Sequence, residues 1–369
     1  MILHLVHDEK IINRTIDIFE EASPDDNLFV VFTRKKRTRF VERRDCVVLY
    51  SEFRRNDYSF SAVIIHYLNR RKIHFLHEHE LVNVPLYWII WGGDLYNKLL
   101  ARKGFLLYPP TAVSGSVRFH VISALKGLLH PFIELFRCNS INYTISFIEK
   151  YVDYIVTDTT ENDFDYLIRY YPQFKQKKWK DFFYYPIDAL LSKELLNVSC
   201  KGDAILVGNS ASKTNNHIYA FSHLKTLNVR NRKIIVPLNY SVKKKYLKEV
   251  VGSGKEMFDE NFSPLLSFLP IAEYNNLLAG VSVAIFANWR QEAIGNILVL
   301  LFLGAKVFLS RNNPVFEWAT FHGLVVFELE NINQKEIDTL LCPESALLNR
   351  KILSALYNKQ RLIELIRMF

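Results

Sequence analysis

Cysteine is scarce in this chain of 369 residues: Cys46, Cys138, Cys200 and Cys342 stand far apart, and no C-x-x-C pair occurs. That spacing excludes a paired-cysteine zinc module and a disulfide framework. Long apolar runs are missing as well. The longest, residues 297–305, falls far short of the about 20 residues that a spanning helix needs. The first residues, Met1-Ile2-Leu3-His4-Leu5-Val6-His7-Asp8, lack a basic start and a sustained apolar core, so no secretory signal is expected. The expected location is the cytoplasm, with reduced thiols and with the sequons at Asn142 and Asn197 unglycosylated. Neither G-x-G-x-x-G nor a Walker loop is present, which leaves NAD and ATP without support. RRM-like, KH-like and zinc-finger strings are also missing, and most aromatic residues lie in apolar runs that read as core. Nucleic acid is therefore not an expected partner.

Hydrophobic residues make up 49% of the sequence, as in a globular protein rather than a disordered one. The length exceeds one ordinary core and suggests two domains. The net charge of +9 is clustered. Arg34, Lys35, Lys36, Arg37, Arg39, Arg43 and Arg44 crowd one segment; Lys175, Lys177, Lys178 and Lys180 form a second cluster, and Lys243, Lys244, Lys245 and Lys248 a third. Any one of them fits a solvated loop or helix face. The three together favour an anionic partner without naming it.

Hydrophobic patterning alternates strands with helices, the βαβ rhythm of a parallel, doubly wound sheet. Strands are expected at residues 2–6, 28–33, 46–50, 73–76, 86–91, 154–157 and 182–185, and helices at 13–22, 61–69 and 116–137. A polar passage, 197–203, precedes a second series. There, strands are expected at 204–207, 233–237, 265–269, 281–287 and 306–309, and helices at 217–224, 240–251, 271–279 and 294–303. The fold class is α/β, with two Rossmann-like units facing a cleft. The expected domains are 1–190 and 191–344, with a helix in 345–369 that can pack back on the first.

The string Trp91-Gly92-Gly93-Asp94-Leu95-Tyr96 ends a buried strand, where ligands of open α/β sheets bind. Asp94 is either a general base or the cap of the helix that follows. Glu78 and His79, in His77-Glu78-His79-Glu80, are reserve candidates; their spacing is not that of a zinc protease, and no metal site is expected. In the second unit, Gly208-Asn209-Ser210 opens a loop of small polar residues between a strand and a helix. It suits a phosphate, through backbone N–H groups and the hydroxyls of Ser210 and Ser212, or it is a turn with Thr214 or Asn215 capping the helix. Another strand–loop–helix carries Arg290, Gln291, Glu292, Gly295 and Asn296. Either Arg290 clamps a diphosphate and Gly295 allows close approach, or Arg290 is solvated, Glu292 favours the helix start and Gly295 eases packing.

Several strings resemble glycosyltransferase family 56, in the same order: Asn13-Arg14-Thr15, His77, Trp91 to Tyr96, Val207-Gly208-Asn209-Ser210, Asn216-His217-Ile218, Val236-Pro237 with Tyr240, Ile294-Gly295, and Arg311-Asn312-Asn313-Pro314. The resemblance runs from the N-terminus to about residue 320. It implies a GT-B architecture without a cofactor, a dTDP-sugar donor such as dTDP-linked 4-acetamido-4,6-dideoxygalactose (Fuc4NAc), and an undecaprenyl-diphosphate-linked saccharide acceptor. The expected setting is the anionic inner face of the cytoplasmic membrane, in common-antigen or O-antigen assembly. The first alternative is a GT-B enzyme using a UDP- or GDP-sugar, and the second a non-enzymatic nucleic-acid-binding protein. On this reading Gly208, Asn209, Ser210, Asn216, Tyr240, Arg290, Gln291, Gly295 and Asn296 hold the donor. The acceptor falls to His7, Asn13, Arg14, His77, Trp91, Gly93 and Tyr96. A helix at 118–137, with Arg118, Lys126 and Arg137 beside an apolar face, is expected to rest on lipid together with the 34–44 basic cluster.

Overall fold

Short apolar runs rich in β-branched residues build two parallel sheets. The computed structural model describes residues 1–33, 37–110, 130–158, 161–191, 194–200, 202–229 and 232–369. The expected lipid-binding helix at 118–137 and residues 34–36 of the first basic cluster lie largely or wholly outside the described residues. Two units emerge. One comprises Met1–Phe105, Gly115–Tyr184 and Gln360–Phe369, the other Leu106–Ser114 and Tyr185–Lys359.

Among the described residues the first unit holds seven strands: β1 (Ile2–His7), β2 (Asn27–Phe32), β3 (Val47–Leu49), β4 (Ala62–His66), β5 (Leu86–Ile90), β6 (Tyr154–Asp158) and β7 (Lys178–Phe182). Their order is β3-β2-β1-β4-β5-β6-β7, with every neighbouring pair parallel. The strand order reverses between β1 and β4. Loops leaving the carboxyl ends of those two strands diverge there and open a crevice, the usual ligand position of such sheets.

One stretch inverts the sequence-based expectation. Residues 61–69 read as helix and 73–76 as strand, whereas β4 occupies Ala62–His66 and a helix runs over Arg70–Glu78. All five residues of β4 are buried. A strand covered on both faces has no alternation to distinguish it from a helical segment. The helix starts because the Asn69 side chain accepts the Lys72 N–H at 3.1 Å. Being a crossover between parallel strands, it ends at the amino edge of the sheet, away from the ligand edge.

Among its described residues the second unit holds six strands: β8 (Ala204–Val207), β9 (Ile234–Pro237), β10 (Phe262–Leu265), β11 (Val281–Phe286), β12 (Lys306–Leu309) and β13 (Phe327–Glu328). The order β10-β9-β8-β11-β12-β13, again wholly parallel, is that of a dinucleotide-binding fold. Its reversal lies between β8 and β11. The C-terminal segment, read as one helix, is two: Pro343–Leu356 and Lys359–Ile366. The last residues pack on the first unit, where the Phe369 ring meets Tyr87 at 5.1 Å and Phe182 at 6.0 Å. Among the described residues no helix is long and apolar enough to cross a membrane.

A buried polar chain crosses the first sheet. Asn27 Nδ2 donates to backbone carbonyls of Phe19 and Ser23, so its Oδ1 faces His4 Nε2 at 3.1 Å as an acceptor. His4 Nε2 therefore carries a proton, and His4 Nδ1 accepts from His66 Nε2 at 3.2 Å. His66 Nδ1 in turn accepts the Tyr184 hydroxyl at 2.8 Å, and that hydroxyl accepts the Trp91 indole N–H. Every bond points one way, with both imidazoles neutral. Burial lowers His4 to about 3 and His66 well below its ordinary value. The unfolded chain takes up protons at both residues below about pH 6.5, while the folded chain does not. Stability is thus highest above that pH and declines as pH falls, each histidine adding up to about 1.4 kcal/mol per pH unit. Melting temperatures measured from pH 7.5 to 5.5 should drop steeply, and less steeply in His4→Gln; an unchanged melting temperature contradicts the buried neutral pair.

Candidate active site

At the reversal of the second sheet, two loops are bound into one unit by a carboxylate. Gly208 follows β8 with φ +69°, and its N–H donates to Ile285 O at 2.9 Å. A Cβ at this position would lie 2.7 Å from Asn215 Oδ1 and 2.8 Å from His217 Nε2, so only glycine fits. Asn215 Oδ1 accepts the Asn209 N–H at 2.8 Å, and its Nδ2 donates to Ser210 Oγ at 3.1 Å. Ser212 Oγ pairs with Thr214 Oγ1 at 2.8 Å, and Thr214 donates to Glu292 at 2.6 Å. Glu292, from the loop after β11, also accepts from Asn288 Nδ2 at 3.0 Å and pairs with Arg290 at 3.1 Å.

This geometry revises several expectations. Ser210 and Ser212 use their hydroxyls within the loop. Neither Thr214 nor Asn215 caps the helix His217–Leu224; Asn216 holds the cap position at φ +51°, without a side-chain cap bond. Its Nδ2 instead donates to Ala287 O at 2.9 Å and Leu107 O at 3.3 Å. Arg290 precedes its helix by several residues, because Ile294–Leu303 begins after Ala293, at φ +68°. Two non-glycine residues in left-handed conformation flank one crevice, and such strain gathers at functional sites. Gln291 is buried and its carbonyl accepts from Arg290 at 3.2 Å. Asn296 turns away to donate to Tyr274 Oη at 2.9 Å, and a Cβ on Gly295 would make only an ordinary 3.8 Å contact with Leu190. Tyr240 is half exposed after β9, its carbonyl accepting from Ala211 N at 2.8 Å.

The crevice is rich in buried polar atoms without a partner among the described residues: the donors His217 Nε2, Trp289 Nε1 and Arg290 Nε, and the acceptors Asn209 Oδ1 and Asn288 Oδ1. Native proteins leave few such groups, and each calls for an explanation. Tyr108 belongs to this unit too. Lys213 Nζ lies 5.0 Å from its ring centre, and burial raises its hydroxyl pKa, with Arg290 opposing and Glu292 adding to the rise. Sequence reasoning missed Tyr108, Thr214, His217, Asn288 and Trp289 as site residues and gave Glu292 a lesser part. For Tyr108 no signal exists, since it stands about a hundred residues before Gly208.

In the first unit, Asp94 is a clamp. It is 2% exposed, and its Oδ2 accepts Leu68 N–H at 2.9 Å and Trp88 Nε1–H at 2.8 Å, while Oδ1 accepts Trp91 N–H at 2.9 Å. It makes no cap bond to the π-helix Leu95–Leu100 that follows. The cap role falls, and the carboxylate instead joins the loops after β4 and β5. The fully buried Lys72 adds to this by donating to the carbonyls of His66 and Tyr67. His7, at the end of β1, meets Asn69 Nδ2 at 3.0 Å through Nε2, and burial, then Lys72, lower it to about 3. Trp91 stacks edge-on with Tyr67 and Tyr184, and a Cβ on Gly93 would press Tyr67 at 3.3 Å. These residues share the ligand edge.

Others do not. Glu78, His79 and His77 sit at the far end of the Arg70–Glu78 helix. The His79 ring packs 5.0 Å from Phe53, the His77 ring packs 5.2 Å from Tyr151, and Glu78 is exposed. The base candidacy of Glu78 and His79 falls with the misplaced strand. Tyr96 is wholly buried, donating to Asp163, and Asn13 holds the β2–β3 loop through Phe40 O and Glu42 N at 2.9 Å each. Arg14 lies half-buried on the first helix, Ile12–Ala22. In Asp94→Asn the amide N–H groups would face at least one backbone or indole donor, at a cost of about 1–3 kcal/mol. This variant should melt several degrees lower. A variant that melts like the wild type yet transfers no sugar points to Asp94 as the base.

The sequence profile of the 4-alpha-L-fucosyltransferase glycosyl transferase group 56 matches residues 156–351, more than half of the chain. Among solved structures, HepE of Anabaena in complex with UDP and glucose superposes with a TM-score of 0.66 at 11% identity, covering 100% of this chain and 98% of that one. Sucrose-phosphate synthase of Thermosynechococcus elongatus gives 0.64 at 9% identity, covering 100% and 98%. A glycosyltransferase of Rickettsia africae gives 0.61 at 11%, covering 98% and 95%. At these identities the likeness speaks for the fold, which is GT-B. The chain therefore belongs to glycosyl transferase group 56 and is a GT-B glycosyltransferase.

Proposed function

We propose that this glycosyltransferase moves a deoxy-amino sugar of the Fuc4NAc type from a dTDP-sugar, held at the β8–β11 crevice of the second unit, to an undecaprenyl-diphosphate-linked saccharide. The observation that carries the donor assignment is the cluster of unpartnered buried atoms at that crevice. Three N–H donors suit phosphoryl oxygens, and two amide carbonyls suit sugar or ribose hydroxyls. A nucleoside-diphosphate sugar carries both kinds of group.

The chemistry follows from charge. As the glycosidic bond breaks, negative charge builds on the departing diphosphate, and donors already in place lower that barrier most. The Arg290 guanidinium, the Trp289 indole N–H and the start of the Ile294–Leu303 helix lie at or beside the β11 loop and supply this stabilisation. Glu292 neutralises part of the Arg290 charge and keeps its side chain oriented. The acceptor belongs to the ligand edge of the first unit, by Trp91, Gly93 and His7. Its lipid favours a peripheral position on the anionic inner membrane. Arg37, Arg39 and the exposed Lys243, Lys244 and Lys248 provide attraction, whereas Arg43 and Arg44 are paired with Glu52, Asp17 and Glu42.

Thermal shift with dTDP, UDP and GDP tests the donor site. dTDP at a hundred times its Kd should stabilise by about 2.7 kcal/mol, and Arg290→Ala should weaken its binding roughly tenfold or more, as expected for a lost hydrogen bond to a charged group. A larger response to UDP or GDP moves the assignment to the alternative donor class. No response to any of the three contradicts the site.

A further inference from the structure

We infer that His217 is a neutral N–H donor to a phosphoryl oxygen of the donor nucleotide, and that Tyr246 holds it in the tautomer this requires. The inference rests on the donor-site reading and adds to it a binding residue and a residue that positions it.

His217 is the first residue of the helix His217–Leu224, and its ring is completely buried. Two atoms of His217 approach one oxygen: its backbone N lies 3.3 Å from Tyr246 Oη, and its Nδ1 lies 3.0 Å from the same atom. A backbone N–H can only donate, so the tyrosine oxygen accepts there. Its single O–H has no other acceptor among the described residues and turns to Nδ1. Burial raises the Tyr246 pKa, which keeps that proton on the oxygen. With Nδ1 accepting, the ring proton sits on Nε2.

Nε2 has no partner among the described residues. It lies beside Gly208, where an added Cβ would stand 2.8 Å away. The absent side chain lets the backbone of the β8 loop lie against Nε2. Asn209 Oδ1, likewise unpartnered, belongs to the next residue of the same loop. A helix start, a glycine at φ +69° and a buried donor thus converge on one position. An anionic oxygen satisfies all three.

The donor keeps working as pH changes. Burial lowers His217 to about 3, so the ring remains neutral from pH 8 to pH 5. Phe221 and Tyr246 are the rings packed on it, and Glu249, Tyr108 and Glu292 bear on the Tyr246 hydroxyl. Arg290 supplies positive charge at the site. A cationic histidine would instead tighten phosphate binding as pH falls.

Two measurements test this on the full-length protein, with dTDP, UDP and GDP as probes. First, 15N-histidine spectra should show His217 as the Nε2–H tautomer, unchanged from pH 8 to pH 5, with Nε2 shifting when the nucleotide that binds is added. An Nδ1–H tautomer, or a titration near pH 6.5, overturns the inference. Second, calorimetry should show roughly ten- to hundredfold weaker nucleotide binding in His217→Phe, partial rescue in His217→Gln, and a several-fold loss in Tyr246→Phe. The glutamine variant keeps the test open if the phenylalanine variant does not fold. If the wild type binds and Arg290→Ala weakens binding, but His217→Phe and His217→Gln bind like the wild type, the inference falls and the donor site stands. If the wild type binds none of the three, the donor-site reading fails with it.

Discussion

The Glu292 carboxylate is the contact on which the second unit's site depends. It accepts from Thr214 of the β8 loop and from Asn288 of the β11 loop, and it pairs with Arg290. The strand order places these two loops on either side of a crevice, but nothing in a parallel sheet keeps them in register beyond the strand ends. One half-buried, charge-assisted cluster does so. With the carboxylate removed, Arg290 would lose its orientation, and the Thr214 and Asn288 side chains would lose an acceptor. The site is therefore a small polar core at the sheet edge rather than a pair of independent loops.

Neutral polar groups do much of the remaining work. His4 and His66 in the first unit and His217 in the second are buried and uncharged. Their tautomers follow from partners that can only donate or only accept. A buried neutral donor costs less to hold than a buried cation and does not fluctuate in charge. The same principle governs Asp94, whose charge is met by three N–H donors although burial still raises its pKa. Charge in these sites is thus either compensated or avoided, and Arg290, paired with Glu292, is the cation that the proposed donor site offers a diphosphate.

Much of this was legible in the sequence, and the failures have specific causes. Strands with uninterrupted apolar runs, such as β5, β8 and β11, lie where the pattern predicts them, and the Gly208 and Arg290 loops mark the reversal of the second sheet. The 61–76 inversion arose because β4 is buried on both faces and shows no alternation. That error carried Glu78 and His79 to the wrong edge of the sheet. The Asp94 clamp was not legible for a different reason: a carboxylate after a glycine pair looks the same in sequence whether it faces a ligand or three N–H groups. The roles of Glu292 and His217 depend on side-chain partners 78 and 29 residues away, Thr214 and Tyr246. No local pattern records such pairings.

A crystal structure of the enzyme with a bound nucleoside diphosphate tests the central claim most directly. The diphosphate is predicted to lie over Gly208, with one phosphoryl oxygen within hydrogen-bonding distance of His217 Nε2 and another at the Arg290 guanidinium. A nucleotide bound instead at the carboxyl edge of the first sheet, by His7 and Trp91, would contradict the account.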